Sequence, residues 1–154
     1  MVIVAVTGTP ACGKTYYAQK LAHDLGFTYV DVKDIISTYH LDEVFDKERD
    51  CSVIDEEKLN VYLMQLKGNL IIDSHLSHHL PPSFVTLCVV VKCPLPLLKK
   101  RLEERGYAKS KIRENLDAEI FDVCLVEASE AGHEVFILYS DEDYPQVLLR
   151  LHSL

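Results

Sequence analysis

Eight residues near the start constrain this chain more than any other feature: Gly8-Thr9-Pro10-Ala11-Cys12-Gly13-Lys14-Thr15 follow the spacing GxxxxGK[ST]. The spacing has meaning only between a strand and a helix. Before it, Val2 to Val6 (VIVAV) is a continuous β-branched apolar run, the pattern of a central strand covered on both faces of a parallel sheet. After it, Ala18, Leu21, Ala22 and Leu25 recur at helical spacing from Lys14 to Leu25, and Gly26 supplies a left-handed stop. Gly8 and Gly13 let the backbone turn so that successive N–H groups converge on an anion at the positive end of that helix, with Pro10, Ala11 and Cys12 forming the span between them. A chance glycine loop would lack this context.

The motif therefore predicts a site for a nucleoside triphosphate, ATP, with Mg²⁺. Lys14 is expected to reach the β and γ phosphates, and Thr15 to offer its hydroxyl to the ion. Cys12 admits two readings. A helix N-terminus and Lys14 could lower its pKa and make it reactive, or it is a small residue that fits, which is the reading preferred here.

Downstream, apolar runs alternate with helical patterns. Strands are expected at Phe27 to Val32, Asn69 to Ile72, Val85 to Val91 and Glu134 to Tyr139, and helices at Asp55 to Leu66, Leu95 to Arg105, Ile112 to Ala131 and from Tyr144 onward. The acidic stretch from Lys33 to Asp55 reads as one short helix and an irregular segment. Alternation of this kind means an α/β fold, a parallel sheet with helices on both faces. A chain of 154 residues without a Pro/Gly-rich linker is sized for one domain, 1–154.

Leu70-Ile71-Ile72-Asp73 is an apolar strand ending in an acid, and Asp73 is the candidate for holding Mg²⁺ or its water. Alone it would read as a turn cap; beside the glycine loop it reads as a metal ligand. His75 follows two residues later, placed to orient a hydroxyl or water near the γ-phosphate. With His78 and His79 it also suggests zinc, a reading set aside because no carboxylate or cysteine sits at helpful spacing. Lys99, Lys100, Arg101, Arg105, Lys109, Lys111 and Arg113 cluster between positions 99 and 113, with Arg101 and Arg105 one turn apart and Gly106 as a hinge. Phosphoryl transfer needs cations that close over phosphates, though such a cluster is also what a solvated face looks like.

Composition narrows the class. A net charge of −8 disfavours sequence-independent nucleic-acid binding, which draws its affinity from lysine and arginine displacing counterions. The six apolar residues at the N-terminus have no basic flank and are too few for a signal peptide or a span, so a soluble cytoplasmic protein is expected, nuclear in a eukaryote, with no membrane partner. Five cysteines without a CxxC pair argue for free thiols rather than a disulfide framework or a zinc ribbon.

The combination of GTPACGKT, IIDSH and RLEERGYAKSKIRENLDAEIFDV resembles the adenylate kinase isoenzyme six family, over nearly the whole chain. Its most specific parts are Asp73-x-His75 and the segment from Arg105-Gly106-Tyr107 to Glu114-Asn115. The resemblance implies a P-loop NTPase fold of the nucleoside monophosphate kinase type: a five-stranded parallel sheet, a lid at about 105–115 and an acceptor-binding insertion at about 33–66. It implies ATP and AMP as substrates, Arg105 as a catalytic and nucleotide-binding residue, and His75 as coupling hydrolysis to conformational change. It also implies work as an ATPase in small ribosomal subunit assembly and rRNA processing, with a basic small-subunit ribosomal protein as partner. Glu48 to Cys51 and Asp55-Glu56-Glu57 look like family features too.

Two positions depart from the pattern. Ala11 stands where relatives commonly have glycine, a change that is easy if φ there is negative. Ser37 stands near where an arginine gripping the acceptor phosphate is expected, and Lys33 or Arg49 would have to serve without the same bidentate fork. The leading reading is transfer from ATP to AMP, giving two ADP. The alternative is an assembly ATPase with little kinase turnover; a non-catalytic nucleotide sensor fits less well with Lys14, Asp73 and the basic cluster all present.

Overall fold

The computed structural model describes residues 1–46 and 51–154, with backbone alone for 42–46 and 51–54. β1 (Ile3–Thr7), β2 (Thr28–Asp31), β5 (Leu70–Asp73), β6 (Leu87–Val91) and β7 (Val135–Leu138) form one parallel sheet in the order β2-β5-β1-β6-β7. This is the five-stranded sheet expected from the sequence. β1 is central because Ile3 to Val6 are all apolar, and its alternating side chains feed two cores.

On one face Val4 and Val6 pack with α1 (Lys14–Leu25), α4 (Leu95–Glu104) and α7 (Tyr144–His152) through Leu21, Leu98, Leu102 and Val147. On the other, Ile3 and Ala5 pack with α2 (Val32–Tyr39), α3 (Glu56–Met64) and α6 (Val123–Glu130) through Val32, Leu59, Leu63 and Ala128. Each fully buried leucine here contributes about 1.5–3 kcal/mol of transfer free energy. The chain leaves β1 toward β2 on one side, and β6 lies on the other. The crevice at the carboxyl ends of these strands is therefore where a parallel α/β sheet binds ligands.

Two expectations need correction. The segment after α2 is not merely irregular: β3 (Asp42–Asp46) and β4 (Cys51–Ile54) pair antiparallel as a separate two-stranded ribbon, and the sequences DEVFD and CSVI contain residue types of high strand propensity. The Glu48-Arg49-Asp50 run, and Arg49 as a substitute acceptor cation, lie outside the described residues, and Cys51 is described by backbone alone. The long helix expected from Ile112 to Ala131 is two helices, α5 (Lys109–Ile120) and α6. Asp122 adopts φ 52° and ψ 42° between them, and its carboxylate lies 2.6 Å from Lys92 Nζ. That ion pair lies at the turn where continuous apolar spacing suggested none. Between α4 and α5 only residues 105–108 are non-helical.

Candidate active site

The loop from Gly8 to Thr15 joins β1 to α1. Gly8 has φ 151°, and a Cβ there would meet the Val91 carbonyl oxygen at 2.4 Å, so no side chain fits. Gly13 caps α1 at φ 105°, which turns the N-terminal amides of the helix toward the crevice. Ala11 has φ 73°, in the left-handed region. The premise that this alanine sits at negative φ is thus overturned, and the loop carries strain of about 1–2 kcal/mol at that residue. Arg101 Nη1 donates to the Ala11 carbonyl at 3.1 Å and braces the strained turn from α4. Lys14 Nζ reaches back to the Thr9 carbonyl at 3.5 Å; burial lowers its pKa, and the Asp73 carboxylate works against that.

Parallel pairing of β1 with β5 sets Val6 opposite Asp73, which brings the strand-end acid to the loop. Thr15 Oγ1 donates to Asp73 Oδ2 at 2.8 Å, and Tyr29 Oη donates to the same oxygen at 2.7 Å. Tyr29 comes from β2, the other neighbour of β5, and sequence reasoning missed it because nothing but sheet order puts it there. A hydroxyl and a buried carboxylate in contact are the hard oxygen donors that suit Mg²⁺, so the residues fit that ion. His75 lines the same cleft. Enclosure by its walls, then the nearby Lys14 charge, hold its pKa below the ordinary 6.5, although the ring still opens onto cleft water.

The cleft has a volume of about 460 Å³. Its lining takes in Pro10, Lys14 and Thr15 from the loop and the start of α1, Asp31, Lys33 and Ile36 from the β2–α2 junction, and Arg101, Arg105 and Tyr107 from the end of α4 and the residues after it. Of the basic cluster only Arg101 and Arg105 line it. Lys99, Lys111 and Arg113 instead pair along their own helices with Glu103, Glu114 and Asp117, as a solvated face does. Ser37 is exposed on α2 and does not line the cleft, whereas Lys33 does.

Behind the loop lies a polar centre that sequence reasoning did not find. Glu119 on α5 is buried; its Oε1 accepts from Lys92 Nζ at 2.8 Å and Thr9 Oγ1 at 3.1 Å, and its Oε2 from the Cys93 amide at 2.9 Å and, at 3.5 Å, the Cys12 thiol. Cys12 and Cys93, 81 positions apart, bring their sulfurs to 3.0 Å. The Cys93 sulfur, burial and the Glu119 charge all raise the Cys12 pKa, so the thiol stays protonated. Burial of the thiol beside the Glu119 carboxylate favours the small-residue reading of Cys12 over the reactive one.

Residues 4–122 match the family model described as AAA domain. A Methanocaldococcus jannaschii protein named "Putative adenylate kinase" is 37% identical over 135 residues, covering 86% of this chain and 75% of that protein. The adenylate kinase isoenzyme 6 homolog of Caenorhabditis elegans is 35% identical over 135 residues, covering 85% and 74%. Among solved structures, shikimate kinase from Acinetobacter baumannii in complex with shikimate is similar with a TM-score of 0.70 over 99% of this chain and 94% of that one; at 15% identity this is a likeness of fold. No helix among the described residues is long and apolar enough to cross a membrane. A parallel sheet carrying a phosphate loop, and relatives named as adenylate kinases aligned along most of both sequences, place the chain in the adenylate kinase isoenzyme 6 family of P-loop kinases.

Proposed function

We propose that this kinase transfers the γ-phosphoryl group of ATP to AMP, forming two ADP. The observation that carries the reading is that one cleft is lined together by the phosphate loop, by Asp31, Lys33 and Ile36, and by Arg101 and Arg105. Donor and acceptor phosphates would meet within that cleft. Thr15 and Asp73 would hold Mg²⁺, which neutralises charge on the phosphate oxygens. The backbone of Gly8, Pro10, Ala11, Cys12 and Gly13 cradles the donor phosphates, Lys14 follows the transferring group as its charge spreads, and Arg101 steadies the loop. Arg105 closes from the lid at 105–115, turning at Gly106. The insertion at 33–66 receives the acceptor, with Lys33 as its cation.

A second reading has its own observation. Ser37 faces solvent, so Lys33 is the acceptor-side cation among the described residues lining the cleft, and a lysine grips phosphate as a point charge rather than as a fork. Neutral His75, beside Lys14 and two residues past Asp73, is suited to orient water, and the chain would then run as an ATPase. In that reading hydrolysis drives binding and release of a basic small-subunit ribosomal protein during rRNA processing, to which an acidic surface is complementary. Purified protein given ATP and Mg²⁺ with AMP, CMP, UMP or GMP separates the two. Kinase turnover consumes acceptor and makes ADP in pairs, whereas hydrolysis makes ADP and free phosphate whether or not an acceptor is present. Phosphate release unchanged by every acceptor would overturn the transferase reading.

A further inference from the structure

A second cluster of chemistry lies away from the nucleotide cleft. After β5 the chain makes a short 3₁₀ turn, Ser77–His79, packed against α6. The turn sets the His78 and His79 rings edge to face, with centroids 4.4 Å apart. From α6, Glu127 points its carboxylate between them: Oε2 lies 3.5 Å from His78 Nε2 and 3.1 Å from His79 Nε2. The three ligand atoms fall within 4.8 Å of one another.

His78 is 3% exposed, and its Nε2 is buried with no hydrogen-bond partner. Its other nitrogen, Nδ1, lies 2.7 Å from Thr7 Oγ1, and the Thr7 hydroxyl can donate onward to the His75 carbonyl at 3.3 Å. The tautomer with its proton on Nδ1 completes that chain and leaves Nε2 holding a lone pair toward a carboxylate. In that tautomer the buried Nε2 lone pair faces the half-exposed Glu127 carboxylate, and a cation between the two would satisfy both.

We propose that His78 Nε2, His79 Nε2 and Glu127 bind a divalent transition-metal ion of the zinc class. Bonds of about 2.0–2.1 Å in a tetrahedron separate neighbouring ligand atoms by about 3.3 Å, which the two measured separations bracket. Both imidazoles are also oriented from behind. His79 Nδ1 lies 2.8 Å from Glu56 Oε2, giving the carboxylate–histidine–metal arrangement, and His133 Nε2 contacts the His78 carbonyl at 2.9 Å and so fixes the turn. The sequence offered His-x-x-His-His without its carboxylate; α6 supplies it from 48 positions away. Imidazole ligands select zinc-class ions over Mg²⁺, so this site and the Thr15–Asp73 pair do not compete for one ion. The other such cluster, Cys12, Cys93 and Glu119, is a weaker candidate because Lys92 already compensates its carboxylate.

The test uses the whole chain, stripped with chelator and dialysed, and titrated with CoCl₂ and ZnCl₂ in excess Mg²⁺ without nucleotide. Wild type takes up one equivalent of Co²⁺ with tetrahedral visible absorption and no thiolate charge-transfer band, and Zn²⁺ displaces it. Glu127→Gln and His79→Gln, both at partly exposed positions, each weaken Zn²⁺ binding by at least about tenfold while circular dichroism is unchanged. Cys93→Ser binds as wild type does. The proposal is overturned by absence of saturable Co²⁺ or Zn²⁺ uptake, by affinity unchanged in both Gln variants, or by a thiolate band lost in Cys93→Ser.

Discussion

Glu119 and Lys92 form a buried ion pair, 2.8 Å between Oε1 and Nζ, that ties α5 to the end of β6 directly behind the phosphate loop. Because the same carboxylate accepts from Thr9 and Cys12, the loop's shape depends on a helix far along the chain. Removing one member of a buried pair costs about 3–5 kcal/mol, and Asp122, which also holds Lys92, lessens that here. Glu119→Ala is expected to lower stability by about 2–4 kcal/mol in urea denaturation and to raise KM for ATP. A loss below about 0.5 kcal/mol would show that the pair contributes no net stability.

Ala11 gives a prediction in which opposing effects are weighed. Glycine would relieve about 1–2 kcal/mol of left-handed strain. It would also add about 0.5–1 kcal/mol of unfolded-state entropy and remove one buried methyl worth about 0.8 kcal/mol. Ala11→Gly should therefore change stability by less than about 1 kcal/mol in either direction, whereas Ala11→Val, β-branched at positive φ, should cost about 2 kcal/mol or more. Paired thermal melts check this; a tolerated valine would contradict the assigned backbone.

What the sequence made legible follows from locality. Gly8 to Thr15 and the alternation of Val2–Val6 with the α1 pattern are short-range signals, and the structure places loop, Asp73 and His75 around one cleft as those signals anticipate. Glu119, Lys92 and Tyr29 were not legible: an acid, a lysine and a tyrosine with ordinary neighbours become a site only through strand order and helix docking. The break at Asp122 was missed for the same reason. It carries no glycine or proline, and its partner Lys92 is 30 positions away. Ala11 was misjudged because one methyl's strain is invisible without φ.

His75 should be neutral in the nucleotide-free protein at pH 7. With its folded pKa lowered by enclosure and by Lys14, the unfolded chain binds the proton more readily, so this residue's effect is to lower stability as pH falls through 6.5. An NMR titration of the ring without nucleotide should give a midpoint below 6.5, and one at or above that value would contradict the assignment. His75→Ala should slow ATP hydrolysis by roughly ten- to a thousand-fold with little change in nucleotide affinity.

Asp73→Asn should sharply raise the Mg²⁺ concentration needed for half-maximal activity. Thr15 and Tyr29 lose their shared anionic acceptor, and a neutral amide is a weaker ligand for a hard cation. Metal-free nucleotide binding should change little. An unchanged magnesium midpoint would reduce Asp73 to a hydrogen-bond acceptor for those two hydroxyls.

The most direct measurement follows the label in ATP carrying radioactive γ-phosphate, mixed with Mg²⁺ and AMP at excess enzyme. The account predicts that label enters the β position of ADP derived from AMP, faster than it appears as inorganic phosphate, and that Lys14→Ala slows this step by about 10²-fold or more with its fold intact. Label found only in inorganic phosphate, or transfer in Lys14→Ala above a tenth of the wild-type rate, would contradict it.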